Sequence, residues 1–101
     1  MKVLKVERFR APEAVEMDNT LEALQGAVDG YIEVFRPWRG PVAVICNEEG
    51  KLRGMGPNIR IGTEILAGTI LVVGVDGEEF RDLKEDEIKK YTALLNAMQR
   101  F

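Results

Sequence analysis

Short apolar runs separated by glycine and proline predict a chain built mainly of strands, with helical spacing in only two stretches. Residues 42–46 contain no polar position, which is typical of a central strand covered on both faces. Residues 69–75 form a second β-branched run and predict another central strand. Weaker strand patterns occupy residues 1–9, 14–17 and 31–35.

The turn after the first central strand predicts a hairpin. Asn47 is expected to bond its own backbone two residues on, and Gly50 to allow the chain to reverse. Residues 51–53 are then expected to pair back on the strand. The stretch at residues 58–66 fits either a frayed strand or one helical turn.

The first helix is predicted where Leu21, Leu24 and Val28 recur at helical spacing. Asn19 is the expected N-cap and forms a capping-box-like pair with Glu22. Gly30 occupies the position of a left-handed C-cap.

The second helix is predicted to begin at Leu83 and to end at Arg100, with apolar residues every three or four positions. Acidic residues crowd its first turn, and Arg100 at its end would suit the helix macrodipole. Five or six strands and two helices predict an α+β fold, in two layers, with both helices packed on a mostly antiparallel sheet. A chain of 101 residues indicates a single globular domain at residues 1–101.

The composition indicates a cytoplasmic protein. Cys46 is the only cysteine, which excludes an internal disulfide and fits a reducing cytosol. The apolar runs are too short to cross a bilayer, so we expect no membrane association. Charged residues interrupt the apolar positions of the first ten residues, and we therefore do not expect these residues to act as a signal peptide.

Charge is distributed unevenly around the net value of −3. The segment from Arg36 to Arg60 contains five basic and two acidic residues, whereas residues 76–87 contain seven acidic and two basic residues. Nucleic-acid affinity requires many clustered phosphate contacts, so this distribution argues against a nucleic-acid partner. It leaves room for a local anion site in the basic half.

Three segments carry a resemblance to a known family: NEEGKL at residues 47–52, then Gly54, Pro57, Asn58 and Arg60, and Ala-Gly-Thr at residues 67–69. Over essentially its whole length the chain resembles the bacterial and phage family DUF3846, a domain of unknown function. The resemblance implies a shared fold and an origin in phages, plasmids or other mobile elements. It implies no catalytic residues.

Candidate catalytic chemistry is sparse because the chain contains no histidine. This removes the usual general base near neutral pH, the commonest transition-metal ligand and every Ser–His or Cys–His arrangement. Cys46 is expected to be a small buried hydrophobe. We therefore predict a non-enzymatic protein without a cofactor or a metal site.

The glycine-rich loop between Arg53 and Arg60 is the candidate ligand site. Gly54 and Gly56 would let backbone amides approach an anion, while Arg53, Asn58 and Arg60 would supply side-chain donors to a nucleotide or phosphate-like group. The alternative is a plain connection whose arginines lie in solvent or pair with nearby glutamates.

The loop that holds Arg36, Trp38 and Arg39 is the candidate partner site. Arginine and tryptophan together are typical of protein-binding hot spots. The alternative is a tryptophan that caps the end of the sheet beneath the arginine stems. Exposed sheet edges offer a further route to a protein partner or to self-association. A small interaction module is the leading hypothesis, and a binder of a small anionic ligand is the alternative.

Overall fold

Two helices and eight strands make up the computed structural model, which describes residues 1–101. In chain order the elements are β1 (Lys2–Val6), β2 (Glu13–Glu16), α1 (Leu21–Val28), β3 (Ile32–Phe35), β4 (Val42–Asn47), β5 (Pro57–Ile61), β6 (Glu64–Ala67), β7 (Ile70–Asp76), β8 (Glu79–Arg81) and α2 (Glu85–Asn96).

Six strands form one antiparallel sheet in the order β2-β1-β7-β4-β3. β8 pairs with the end of β7 that β1 leaves free. β5 and β6 form a separate two-stranded hairpin. The α+β class, with two helices on a mostly antiparallel sheet, is therefore confirmed.

The two apolar runs lie at the centre of the sheet, as predicted. All six residues of β4 are buried, and so are the first five of β7. Because successive side chains point to opposite faces, β4 contributes Val44 and Cys46 to one core and Ala43 and Ile45 to the other.

The fold has three layers, and the expectation of two was wrong. α1 covers one face of the sheet through Leu24 and Val28, whereas α2 and the β5–β6 hairpin cover the opposite face. A strand without a polar position needs an apolar neighbour on both faces, so one layer of helices could not bury it.

The predicted return strand at residues 51–53 was also wrong. Asn47 Oδ1 does accept a bond from the Glu49 N–H at 2.7 Å, as expected. The chain then continues through turns, because β4 already has β3 on one side and β7 on the other. The ambiguous stretch at residues 58–66 belongs to the β5–β6 hairpin.

The start of α1 differs from the prediction by one residue. Thr20 is the N-cap, and its Oγ1 accepts a bond from the Ala23 N–H at 3.1 Å. Asn19 instead donates from Nδ2 to the Phe80 carbonyl at 3.0 Å. The left-handed C-cap is Asp29, with φ 60°, rather than Gly30.

The second helix is shorter than predicted at both ends. α2 starts after Lys84, whose N–H donates to the Glu87 carboxylate at 2.8 Å, and it ends at Asn96. Arg100 lies beyond the helix, in a β-bridge with Ile59, so it does not complement the macrodipole. Neither helix combines the length and the apolar content that crossing a membrane requires.

Candidate functional site

Arg53 closes the carboxyl end of α1. Its Nη1 donates to the Asp29 carbonyl, and its Nη2 lies 3.4 Å from the Asp29 carboxylate. The side chain is 44% exposed. The carbonyls at a helix C-terminus carry partial negative charge, so the guanidinium caps them.

Asn58 holds three parts of the chain together. It is fully buried, and its Nδ2 donates to the Val6 and Gly68 carbonyls, both at 2.8 Å. Its Oδ1 accepts a bond from Arg100 Nη2 at 2.9 Å. The amide therefore bonds to protein groups through both of its ends and does not face a ligand.

The other members of the predicted anion site do not line a cavity together with Arg53. Arg60 is exposed, and its N–H donates to the Gln99 carbonyl near the C-terminus. Gly54 has φ 73° with open space around it, whereas a side chain at Gly56 would collide with the Arg8 guanidinium.

A cavity of about 260 Å³ beside Arg53 contains none of the other predicted site residues; it is lined by Gln25, Gly30, Tyr31, Glu49 and Arg53. The structure does not bring the five predicted residues around one cavity. An anion site at this loop stays a prediction.

Trp38 packs against the core. Its ring lies 5.1 Å from that of Tyr91, with a tilt of 37°, and the residue is half-buried. Arg39 is exposed, and Arg36 donates from Nη2 to the Gly40 carbonyl at 2.7 Å. This placement agrees with the alternative in which the tryptophan caps the end of the sheet. A partner contact by the two arginines stays a prediction.

β3 leads directly into this loop and has a neighbour on one side only. The Tyr31 carbonyl accepts a bond from the Glu48 N–H at 2.9 Å, which assigns residues 31, 33 and 35 to the positions bonded to β4. In an antiparallel ladder the residues between them turn their backbone groups outward. Ile32 and Val34 therefore direct their N–H and C=O groups away from the sheet.

Apolar side chains accompany these free backbone groups. Val34 is 43% exposed and Tyr31 67% exposed. Large apolar side chains on an exposed edge are the feature that natural edge strands usually avoid, because another strand can pair there.

A groove separates β3 from the β5–β6 hairpin. It encloses about 350 Å³ with Cys46 in its lining, and its charged residues are Glu33, Glu48, Glu49, Glu64 and Lys51. A smaller cavity of about 190 Å³ between Glu33, Phe35, Glu64 and Leu66 lies along the same two strands.

The thiol of Cys46 is buried, as expected. Burial, together with the nearby carboxylates of Glu33 and Glu64, raises its pKa to about 11. Glu33 Oε2 lies 3.9 Å from the sulfur. The thiol therefore stays protonated near neutral pH, and this groove can offer carboxylates and apolar surface but no thiolate.

Sequence reasoning did not single out Glu33 or Glu64. The only local signal was an acid between two apolar residues in the IEVF run of β3. Their shared groove depends on the fold, because the hairpin that carries Glu64 packs on the sheet far along the chain from β3. No group of three or more His, Cys, Asp or Glu side chains is placed to hold a metal ion.

Comparison with known proteins identifies one family. Its model, described as a domain of unknown function (DUF3846), matches residues 1–96. No curated protein and no solved structure matches the chain.

Proposed function

Since the chain belongs to the DUF3846 family, which is described only as a domain of unknown function, we propose a function from its surface: it is a binding module that takes up an extended segment of a protein partner along β3. The outward backbone groups of Ile32 and Val34 carry the proposal. Strand addition of this kind obtains affinity from main-chain hydrogen bonds and specificity from alternate side chains.

The other free edges of the sheet are protected. On β8 the outward carbonyl of Phe80 already accepts the bond from Asn19. On β2 both ends of the strand are acidic, at Glu13 and Glu16, and the Glu16 carboxylate lies 3.3 Å from the N-terminal ammonium. Charged residues of this kind discourage pairing with another strand.

β3 has a different composition from β2. Its outward positions are Ile32 and Val34, and its single acid, Glu33, faces the groove beside the hairpin. The strand has only four residues, so the paired area is small and belongs to the size class of transient complexes. We expect weak, rapidly reversible binding.

The proposal is for binding without catalysis, in the cytosol, by a protein from a phage-related or other mobile-element locus. The missing histidine and the protonated Cys46 thiol support the absence of catalysis. The single free cysteine supports the compartment.

Proline substitution tests the proposal with a matched control. Val34→Pro removes an N–H that points to solvent and leaves the ladder with β4 intact, a position at which edge strands tolerate proline. Ala14→Pro does the same on β2, where the bond from the Met17 N–H to the Met1 carbonyl assigns residue 14 to the outward positions.

Peptides are selected from a random displayed library on the wild-type protein, and their affinities are measured by fluorescence anisotropy. We expect Val34→Pro to weaken binding by about tenfold or more and Ala14→Pro to change it by less than about twofold. Amide hydrogen exchange at Ile32 and Val34 should slow when a peptide binds. If no selected peptide is sensitive to Val34→Pro, the edge is not the binding surface.

A small anionic ligand at Arg53 is the second candidate, favoured by the cavity of about 260 Å³ beside this partly exposed guanidinium. A nucleotide or phosphate-like group would have to compete with Asp29 for the same donors. Thermal shift with mono-, di- and cyclic nucleotides tests it: we expect a shift that Arg53→Ala removes, and a flat response of the wild type would exclude the site.

A further inference from the structure

We propose that the segment paired with β3 alternates basic and apolar side chains, and that its basic residues enter the groove between β3 and the β5–β6 hairpin. This inference rests on the proposed function, and it names the chemistry of the partner. The occupant is a cationic strand of another protein.

The faces of β3 decide where the side chains of an added strand lie. Glu33 pairs with Cys46 and lines the groove, and Phe35 packs on the same core as α2. Ile32 packs on the opposite face, with the core beneath α1. Since neighbouring strands share their faces, alternate residues of the partner will lie beside Glu33 or beside Ile32 and Val34.

The groove is lined by more carboxylates than cations, and none of these carboxylates forms an ion pair. Four glutamates, at positions 33, 48, 49 and 64, line it together with Lys51 as the only base. The ion pairs of the structure involve other acids, at Glu7, Glu16, Asp29, Asp82 and Glu87. Lysine or arginine of a partner strand would supply the missing positive charge.

The free backbone groups make the occupant a strand rather than a free cation or a small amine. Ile32 and Val34 present donors and acceptors in the spacing of an antiparallel ladder, next to the acidic groove. Apolar residues of the added strand would cover the exposed part of Val34. The pattern of the partner is therefore basic on one face and apolar on the other.

A second copy of this chain fits the edge poorly. The antiparallel register that uses all the outward groups of two β3 strands pairs Ile32 with Val34 and sets Glu33 opposite the same residue of the other copy. Like charges that face each other across a ladder are destabilising. The net charge of −3 on each chain adds to this repulsion.

Synthetic peptides test the inference. Capped strands that alternate valine with lysine, with serine or with glutamate differ only in the side chains of one face, which are cationic, neutral or anionic. A scrambled lysine peptide keeps the composition and loses the alternation. We expect the lysine strand to bind about tenfold more tightly than the glutamate strand, with an affinity that falls as salt is added. The scrambled peptide should bind as weakly as the glutamate strand.

Substitutions locate the contact. Glu33→Gln with Glu64→Gln should weaken the lysine strand by about fivefold or more and leave the serine strand unchanged. Glu22→Gln with Glu85→Gln makes the same change of charge on the exposed surfaces of the two helices, away from every sheet edge, and should leave the binding of both strands unchanged. Val34→Pro should weaken both strands.

The outcomes separate the inference from the function on which it rests. If lysine and serine strands bind equally and Val34→Pro weakens both, strand addition stands and the basic partner is wrong. If neither strand responds to Val34→Pro, both proposals fail. A wild-type dimer in analytical ultracentrifugation that Val34→Pro dissociates would make a second copy the occupant, and the inference would be overturned.

Discussion

The two lateral edges of the sheet differ in how many of their polar groups form hydrogen bonds within the protein. The β1 side is the edge around β1, β2 and β8, and the β3 side is the edge at β3. On the β1 side, Asn58 joins β5 to β1, Arg100 donates to the Glu7 carbonyl at 2.9 Å, and Asn19 covers the outer edge of β8. On the β3 side, the outward backbone groups of β3 have no such partners, and the carboxylates of the groove form no ion pair. Glu33 accepts only the long contact of 3.9 Å from the Cys46 thiol.

This difference teaches where binding should be sought. A buried donor or acceptor needs a hydrogen bond, because an unpaired one costs about 1–3 kcal/mol. On the β1 side, side chains form such hydrogen bonds with the backbone. Polar groups at a solvent-exposed edge carry no such penalty, since water bonds to them until a partner replaces it. We therefore expect the β1 side to contribute mainly to stability, and the proposed partner contact to lie on the β3 side.

The largest effect is expected at Asn58, on the bonded side. Asn58→Leu keeps the branching and the number of heavy atoms of the side chain. It leaves the Val6 and Gly68 carbonyls without the donor that Asn58 supplies, and it removes one of the acceptors of Arg100. We expect a loss of about 2–4 kcal/mol in the free energy of unfolding, measured by urea denaturation.

Asn96→Leu is the matched control for this change, because Asn96 is exposed at the end of α2. Its effect should stay within about 0.5 kcal/mol. Equal effects of the two substitutions would show that Asn58 does not fasten the hairpin to the sheet.

Trp38 provides the next largest effect and tests how the loop on the β3 side is held. Its ring packs on Tyr91 and the core, so Trp38→Ala should lower the free energy of unfolding by about 1.5–3 kcal/mol. Arg39 has no bonded partner and is exposed, and Arg39→Ala should change stability by less than about 0.5 kcal/mol. A Trp38→Ala protein as stable as the wild type would contradict the capping role and favour a surface contact.

Glu87 tests the bonded side through pH. Arg81 donates two hydrogen bonds to this carboxylate, at 2.8 and 3.0 Å, and they lower the pKa of Glu87 from its ordinary 4.5. A lowered carboxyl pKa stabilises the folded state above the ordinary value, and the stabilisation is lost as pH falls through the folded pKa.

Glu87→Gln should therefore cost about 1–2 kcal/mol near neutral pH and almost nothing in strong acid, where the wild-type carboxyl is also protonated. The measurement is urea denaturation at a series of pH values. Glu85→Gln, in the exposed first turn of α2, should show a much smaller dependence. A wild-type advantage that persists unchanged in acid would mean that the ion pair is not its source.

The central strands could be predicted from the sequence because their pattern is local. An apolar run without a polar position indicates cover on both faces, and β4 and β7 lie where this requires. The same observation, applied to the whole sheet, would have predicted three layers.

The candidate site could not be predicted in the same way, because its members meet only through long-range pairing. The sequence places Asn58 in a glycine-rich loop, whereas its hydrogen bonds join it to Val6 and Arg100, at opposite ends of the chain. Likewise the backbone N–H and C=O groups of Ile32 and Val34 point outward because of the register between β3 and β4. Hydrophobic periodicity alone does not specify that register.

The smallest effect on stability is expected at Asn19. A substitution there distinguishes the hydrogen bond to Phe80 seen in the structure from the N-cap role predicted from the sequence. Asparagine and aspartate serve almost equally well as N-caps, so Asn19→Asp would be harmless if this residue capped α1. In the structure the side chain must donate to the Phe80 carbonyl, which a carboxylate does not do. We therefore expect Asn19→Asp to lower the free energy of unfolding by about 0.5–1 kcal/mol, measured by urea denaturation.

Thr20→Ser is the control: it keeps the hydroxyl that accepts the Ala23 N–H, so it should be nearly neutral. If Asn19→Asp is neutral as well, β8 has no cover at its edge, and the contrast between the two sides of the sheet is weaker than the bonds indicate.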